Sequence, residues 1–134
     1  MKFARVVFTI AGVWGIVVLT PLYWMTDKIG RQYPPPITHL EIFFGFLAVT
    51  IAWQVAFMVI AWDPVRFRPF MIPATLEKFL YVATLAVLYA RGDVQPGQAM
   101  VAGPDLLLGV LFVAAFARTS STPAGRPGGS PAKA

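Results

Sequence analysis

The sequence predicts an all-α polytopic membrane protein, a bundle of four transmembrane helices joined by short loops. Three observations predict it. Of the 134 residues, 57% are hydrophobic and only 13% are charged, about half the charged share of a soluble domain. The mean hydropathy is +0.68. The apolar residues also gather into four runs, each close to the ~20 residues that cross a hydrocarbon core. A water-soluble core of this size could not hide so much apolar surface. Composition therefore excludes an ordinary soluble enzyme and a disordered chain. The lack of any Cys excludes a disulfide or Cys-based zinc scaffold.

The expected spans are 6–25, 42–62, 73–90 and 99–117, within a transmembrane domain of residues 1–118. The first begins after Lys2 and Arg5 and ends in Pro21-Leu22-Tyr23-Trp24 without a small-x-small cleavage site, so it reads as a retained anchor. Tyr33-Pro34-Pro35-Pro36 forces an extended segment, after which Pro36 or Ile37 opens the second span. Asp63-Pro64 closes it, because a residue before Pro avoids the helical region. Pro73 suits the first turn of the third span. Glu77 and Lys78 follow early in it, with Lys78 expected to snorkel to the interface. Gly92 suits its C-terminal end, and Pro96-Gly97 reads as a turn. Pro104 either starts the fourth helix or kinks it, with Asp105 beside the break. The segment 119–134 is rich in Ser, Thr, Pro, Gly and Ala and reads as a flexible tail.

Charge sets orientation. With four spans, both termini and the Asp63–Pro69 loop share a compartment that carries Lys2, Arg5, Arg66, Arg68, Arg118, Arg126 and Lys133. The other side has Lys28, Arg31 and Arg91. The excess of positive charge places both termini in the cytoplasm of a bacterial inner membrane. The net charge of +5 then reflects topology and lipid headgroups. No basic stripe marks a nucleic-acid partner.

Small residues let helices approach closely in lipid. Gly45, Ala48, Ala52 and Ala56 form one face of the second helix, expected to look into the bundle, as are Ala11 and Gly15, then Ala83, Ala86 and Ala90, then Gly109 and Ala114. Charges inside a span cost about 2.5–3.5 kcal/mol near its centre, so the polar exceptions mark candidate sites. His39, Glu41, Arg91 and Asp105 are expected to converge at the outer end, where Arg91 could pair with Asp105 or Glu41. Gln54 lies near the middle of the second helix, where its amide needs a partner such as Thr50 or Thr84, or a neighbouring chain. Together His39, Glu41, Gln54, Arg91 and Asp105 form the candidate polar pocket. On the inner side, Arg66 or Arg68 paired with Glu77 would clamp the second and third helices.

Catalytic signatures are lacking. One His and no Cys leave no bis-His haem, iron–sulfur or multi-His metal site, and neither GxSxG nor a phosphate loop occurs. No cofactor, metal or catalytic residue is assigned. The sequence therefore favours a non-enzymatic accessory or structural subunit that packs with other membrane proteins or with itself. The alternative is a lipid, quinone or small-solute binding or transport protein built on the outer polar cluster.

The stretches His39-Leu-Glu-Ile-Phe-Phe-Gly-Phe, Ala52-Trp-Gln-Val-Ala-Phe, Asp63-Pro-Val-Arg-Phe-Arg-Pro and Leu76-Glu-Lys resemble a family of uncharacterised four-helix bacterial membrane proteins. The four-span plan also resembles DoxX-like proteins in architecture. Neither resemblance implies an activity, and neither assigns a role to a residue.

Overall fold

A computed structural model describes residues 2–120. The expected tail, with Arg126 and Lys133, lies outside them apart from Thr119 and Ser120. Four helices are long and apolar enough to cross a membrane: Lys2–Trp24, Leu40–Trp62, Arg68–Ala90 and Pro96–Arg118. No strand occurs among the described residues. The protein is an all-α membrane protein.

Helix α1 (Lys2–Leu19) runs into a 3-10 turn, Thr20–Trp24, where Pro21 tightens the last turn. The connection that follows is not wholly extended. Thr26–Gln32 forms a short helix, α2, before Tyr33 leaves helical geometry. Helix α3 (Leu40–Trp62) starts later than Pro36 or Ile37, because His39 still has the non-helical dihedrals φ −88° and ψ 72°. It ends at Trp62, and Asp63 before Pro64 leaves the helical region at φ −140° and ψ 85°, as the sequence requires.

Helix α4 (Met71–Ala90) is preceded by a 3-10 turn, Arg68–Phe70. The span therefore begins about a turn before Pro73, which carries Glu77 and Lys78 deeper than the sequence suggested. Its C-terminus is closed by Gly92 at φ 77°, which only glycine adopts without strain. The Gly92 N–H donates to Tyr89 O and the Asp93 N–H to Leu88 O, the paired bonds of a Schellman cap. Pro96–Ala99 is a helical turn, α5, held by the Gln98 side chain accepting the Gln95 N–H at 2.8 Å. Helix α6 (Ala102–Arg118) contains Pro104 in its first turn. Pro104 thus belongs to the start of the helix, where its missing N–H costs no bond.

Helix α1 packs along α3, α4 along α6, and the two pairs join through α1 and α6. Helices α3 and α4 meet only lightly. Glycines on α1 set the closest approach. Gly12 lies against the Gln54 backbone carbonyl and Met58, and Gly15 lies against the Gln54 side chain. The expected inward faces of α3 and α4 are corrected. Gly45, Ala48 and Ala52 are exposed, Ala56 is half-buried, and Ala83, Ala86 and Ala90 are exposed. Leu47, Gln54, Phe57 and Ile60 turn inward on α3 instead. Bulky side chains fill the space between helices joined at α1, so the small residues are left facing outward. Ala11, Gly15 and Gly109 do face the interior, while Ala114 is half-buried.

The two halves of the bundle differ. Towards the end that carries Lys2 and Arg118, Phe8, Phe57 and Phe112 are fully buried among Ala4, Ile60, Met71 and Ala115. Phe8 stacks on Phe112 with centroids 4.2 Å apart, and Phe57 meets Phe112 edge-on at 5.0 Å, the arrangements aromatic rings favour. This aromatic plug closes one end. Arginines dress the same end: Arg68 lies 3.8 Å over the Phe116 ring and donates to its carbonyl oxygen, and Arg118 lies 4.5 Å over Phe3. The other half holds a partly open cavity.

Candidate functional site: a polar cavity at mid-membrane depth

The cavity holds about 440 Å³, within the range of small-molecule sites. All four long helices line it. Trp14, Val18 and Leu22 form its wall from the first span, Phe46, Thr50 and Gln54 from α3, Tyr81 from α4, and Met100 and Leu108 from the last. Phe46 and Tyr81 stack with centroids 6.3 Å apart, where α3 and α4 otherwise meet lightly. Glu77, Lys78 and Asp105 lie at its polar end.

Lys78 sits close to the middle of its span, about 15 Å from Arg68 at the helical rise. Its residue is only 4% exposed, so it does not snorkel. Its Nζ donates to Asp105 Oδ1 at 2.7 Å and lies 3.3 Å from Glu77 Oε2. The Phe57 ring lies 5.2 Å beneath the ammonium, which seats the triad on the aromatic plug. Gly109 makes room for this arrangement, since a Cβ there would meet Lys78 Cβ at 3.4 Å and Phe79 at 3.1 Å. Unpaired, each charge would be costly at this depth. The bond between Lys78 and Asp105 also ties α4 to α6.

Two acceptors at the site are left without a donor. Gln54 is 1% exposed. Its Nε2 donates to Thr50 O at 3.0 Å, which makes Thr50 the partner through its backbone. Its Oε1 is buried with no hydrogen bond. Glu77 Oε2 is likewise buried with none, despite its ion-pair distance to Lys78. Thr50 and Thr84 cannot help, because their hydroxyls bond back to Phe46 O and Leu80 O in their own helices.

The expected polar pocket is therefore divided. Gln54 and Asp105 share the cavity, while His39, Glu41 and Arg91 do not line it. His39 Nδ1 pairs with Glu41 at 3.2 Å with both side chains over 70% exposed, at 76% and 72%. Arg91 pairs with Asp93 at 2.9 Å, not with Asp105 or Glu41. The expected inner clamp also differs. Glu77 faces Lys78, Arg68 faces Phe116, and the Arg66 N–H donates to Asp63 Oδ1 at 3.1 Å. The late start assigned to the third span hid Lys78: read near a helix end it looks like an interface residue, and one turn deeper it must be paired. Among the described residues no group of His, Cys, Asp and Glu could hold a metal ion.

Fold and cavity together define a four-helix membrane protein with a charged intramembrane cavity. No family model, curated protein or solved structure matches the chain.

Proposed function

We propose that this protein is a membrane-embedded binding protein for a small amphipathic molecule, taken up from the end of the bundle opposite the termini. The observation that carries this reading is the pair of donorless acceptors, Gln54 Oε1 and Glu77 Oε2, buried at a 440 Å³ cavity. A buried polar atom without a partner costs about 1–3 kcal/mol, and a ligand's donor group would remove that cost. The apolar wall of Val18, Leu22, Met100 and Leu108 suits the rest of such a molecule. The excess of Lys and Arg near the termini supports a cytoplasmic position for both in a bacterial inner membrane.

A second reading has its own support. The exposed Gly45, Ala48 and Ala52 present a smooth helix face that suits close packing with another membrane helix, as an accessory subunit or a homo-oligomer would require. Native mass spectrometry of mildly solubilised protein tests both. One small molecule retained per chain, and lost in a Leu108→Trp variant that fills the cavity, is the expected result. No bound molecule, or equal retention by that variant, would sink the binding reading. A stable dimer or a co-purifying membrane protein would favour the second.

A further inference from the structure

The chemistry of the cavity identifies the class of its ligand. Three charged groups line it: Glu77, Lys78 and Asp105. The Lys78 ammonium donates to Asp105 at 2.7 Å and lies 3.3 Å from Glu77 Oε2. Glu77 and Asp105 share one ammonium, which leaves the triad with one surplus negative charge, and Glu77 Oε2, the more distant oxygen, receives no hydrogen bond. Among the described residues no other charged residue lines the cavity. Gln54 supplies an independent second observation, a 99% buried side chain (1% exposed) whose carbonyl oxygen has no partner. Both unfilled positions are acceptors, and among the described residues the two carboxylates at the site outnumber its one ammonium. Further out, the walls present Trp14, Phe46 and Tyr81, whose ring faces attract cations.

We infer that the cavity binds a hydrophobic primary or secondary ammonium. Its ammonium would lie at the end of the cavity lined by Glu77 and Gln54, where a turn of either side chain presents Oε2 or Oε1 to its N–H groups, and its apolar body would lie along the aromatic wall. This rests on the binding function proposed above and names its ligand class. An anion would meet the surplus carboxylate and is excluded by charge. A neutral alcohol could donate one hydrogen bond but would leave the surplus negative charge of the triad unanswered. A charge-assisted bond is roughly twice as strong as a neutral one, so the difference is measurable.

The test uses three probes of one shape: naphthylmethylammonium, naphthylmethanol and naphthoate. Each is equilibrated with the full chain in lipid nanodiscs at neutral pH, with the Leu108→Trp protein measuring partition into lipid. The ammonium is expected to bind the wild type at least about tenfold more tightly than the alcohol, and naphthoate not above the Leu108→Trp background. In Glu77→Gln the preference for the ammonium over the alcohol should vanish, and in Gln54→Leu both should weaken. Equal binding of ammonium and alcohol by the wild type would overturn the ligand class and leave the binding function standing. If none of the three exceeds the Leu108→Trp background, the binding function fails with it. The wild-type comparison decides the matter even if Glu77→Gln does not fold.

Discussion

Replacing Lys78 with Met is expected to destabilise the bundle by about 3–5 kcal/mol, the cost of breaking a buried ion pair from one side. The substitution keeps the volume and the apolar stem but strands two carboxylates, Glu77 and Asp105, which now share the 3.3 Å and 2.7 Å contacts of one ammonium. Asp105→Leu should cost less, because Glu77 remains beside the cation. The triple variant Glu77→Gln, Lys78→Met, Asp105→Leu should recover most of the loss, since a buried pair replaced by apolar groups of similar size is often neutral. Unfolding in mixed micelles, followed by helical circular dichroism, measures all three. The order is the sensitive part. If Asp105→Leu costs as much as Lys78→Met, Glu77 is not sharing the ammonium.

The second large effect is expected at the α1–α3 contact, and here two neighbouring glycines should behave differently. A Cβ at Gly12 would stand 2.8 Å from the Gln54 backbone oxygen and 2.7 Å from Met58 Cγ. The backbone cannot step aside, so Gly12→Ala should force the helices apart at about 2–3 kcal/mol, the upper range of overpacking. A Cβ at Gly15 would overlap the Gln54 side chain instead. That side chain can be shortened, so Gly15→Ala should be rescued by Gln54→Ala, while Gly12→Ala should not. The same unfolding measurement gives the coupling in a double-mutant cycle. Rescue at both positions, or at neither, would show that the contact is not arranged as described.

The architecture was legible in the sequence because its signals are local. Charge-free runs mark spans, and Asp63-Pro64 and Gly92 mark ends through their own backbone preferences. The scarcity of charge within spans also singled out Glu77, Gln54 and Asp105, and all three line one cavity. Their partners were not legible. A small-residue stripe on α3 implies a close neighbour but not which one, because α3 is apolar on every side and periodicity cannot choose its inner face. Gln54 occupies that inner face through its fit to Gly15 on α1, a match between distant parts of the chain. The start of α4 depended on a 3-10 turn at Arg68–Phe70, and the depth of Lys78 followed from it. His39, Glu41 and Arg91 lie at the end of the bundle away from Lys2 and Arg118, yet each of their ion pairs closes within a few residues. Sequence position gives such residues a membrane depth but no direction around the helix.

The central claim is the proposed route into the cavity, from the end away from Lys2 and Arg118 down to the charged triad. The chain contains no Cys, so single cysteines can be placed without background. Val18→Cys and Leu108→Cys line the cavity, whereas Val17→Cys and Leu107→Cys, at residues 63% and 62% exposed, face lipid. A charged, water-soluble thiol reagent is added to either side of sealed vesicles, and labelling rates are compared. The expected result is labelling of Val18→Cys and Leu108→Cys from the side opposite the termini alone, with the lipid-facing pair unreactive from both sides. Reaction from the termini side, or equal rates at all four positions, would contradict a cavity closed by the aromatic plug.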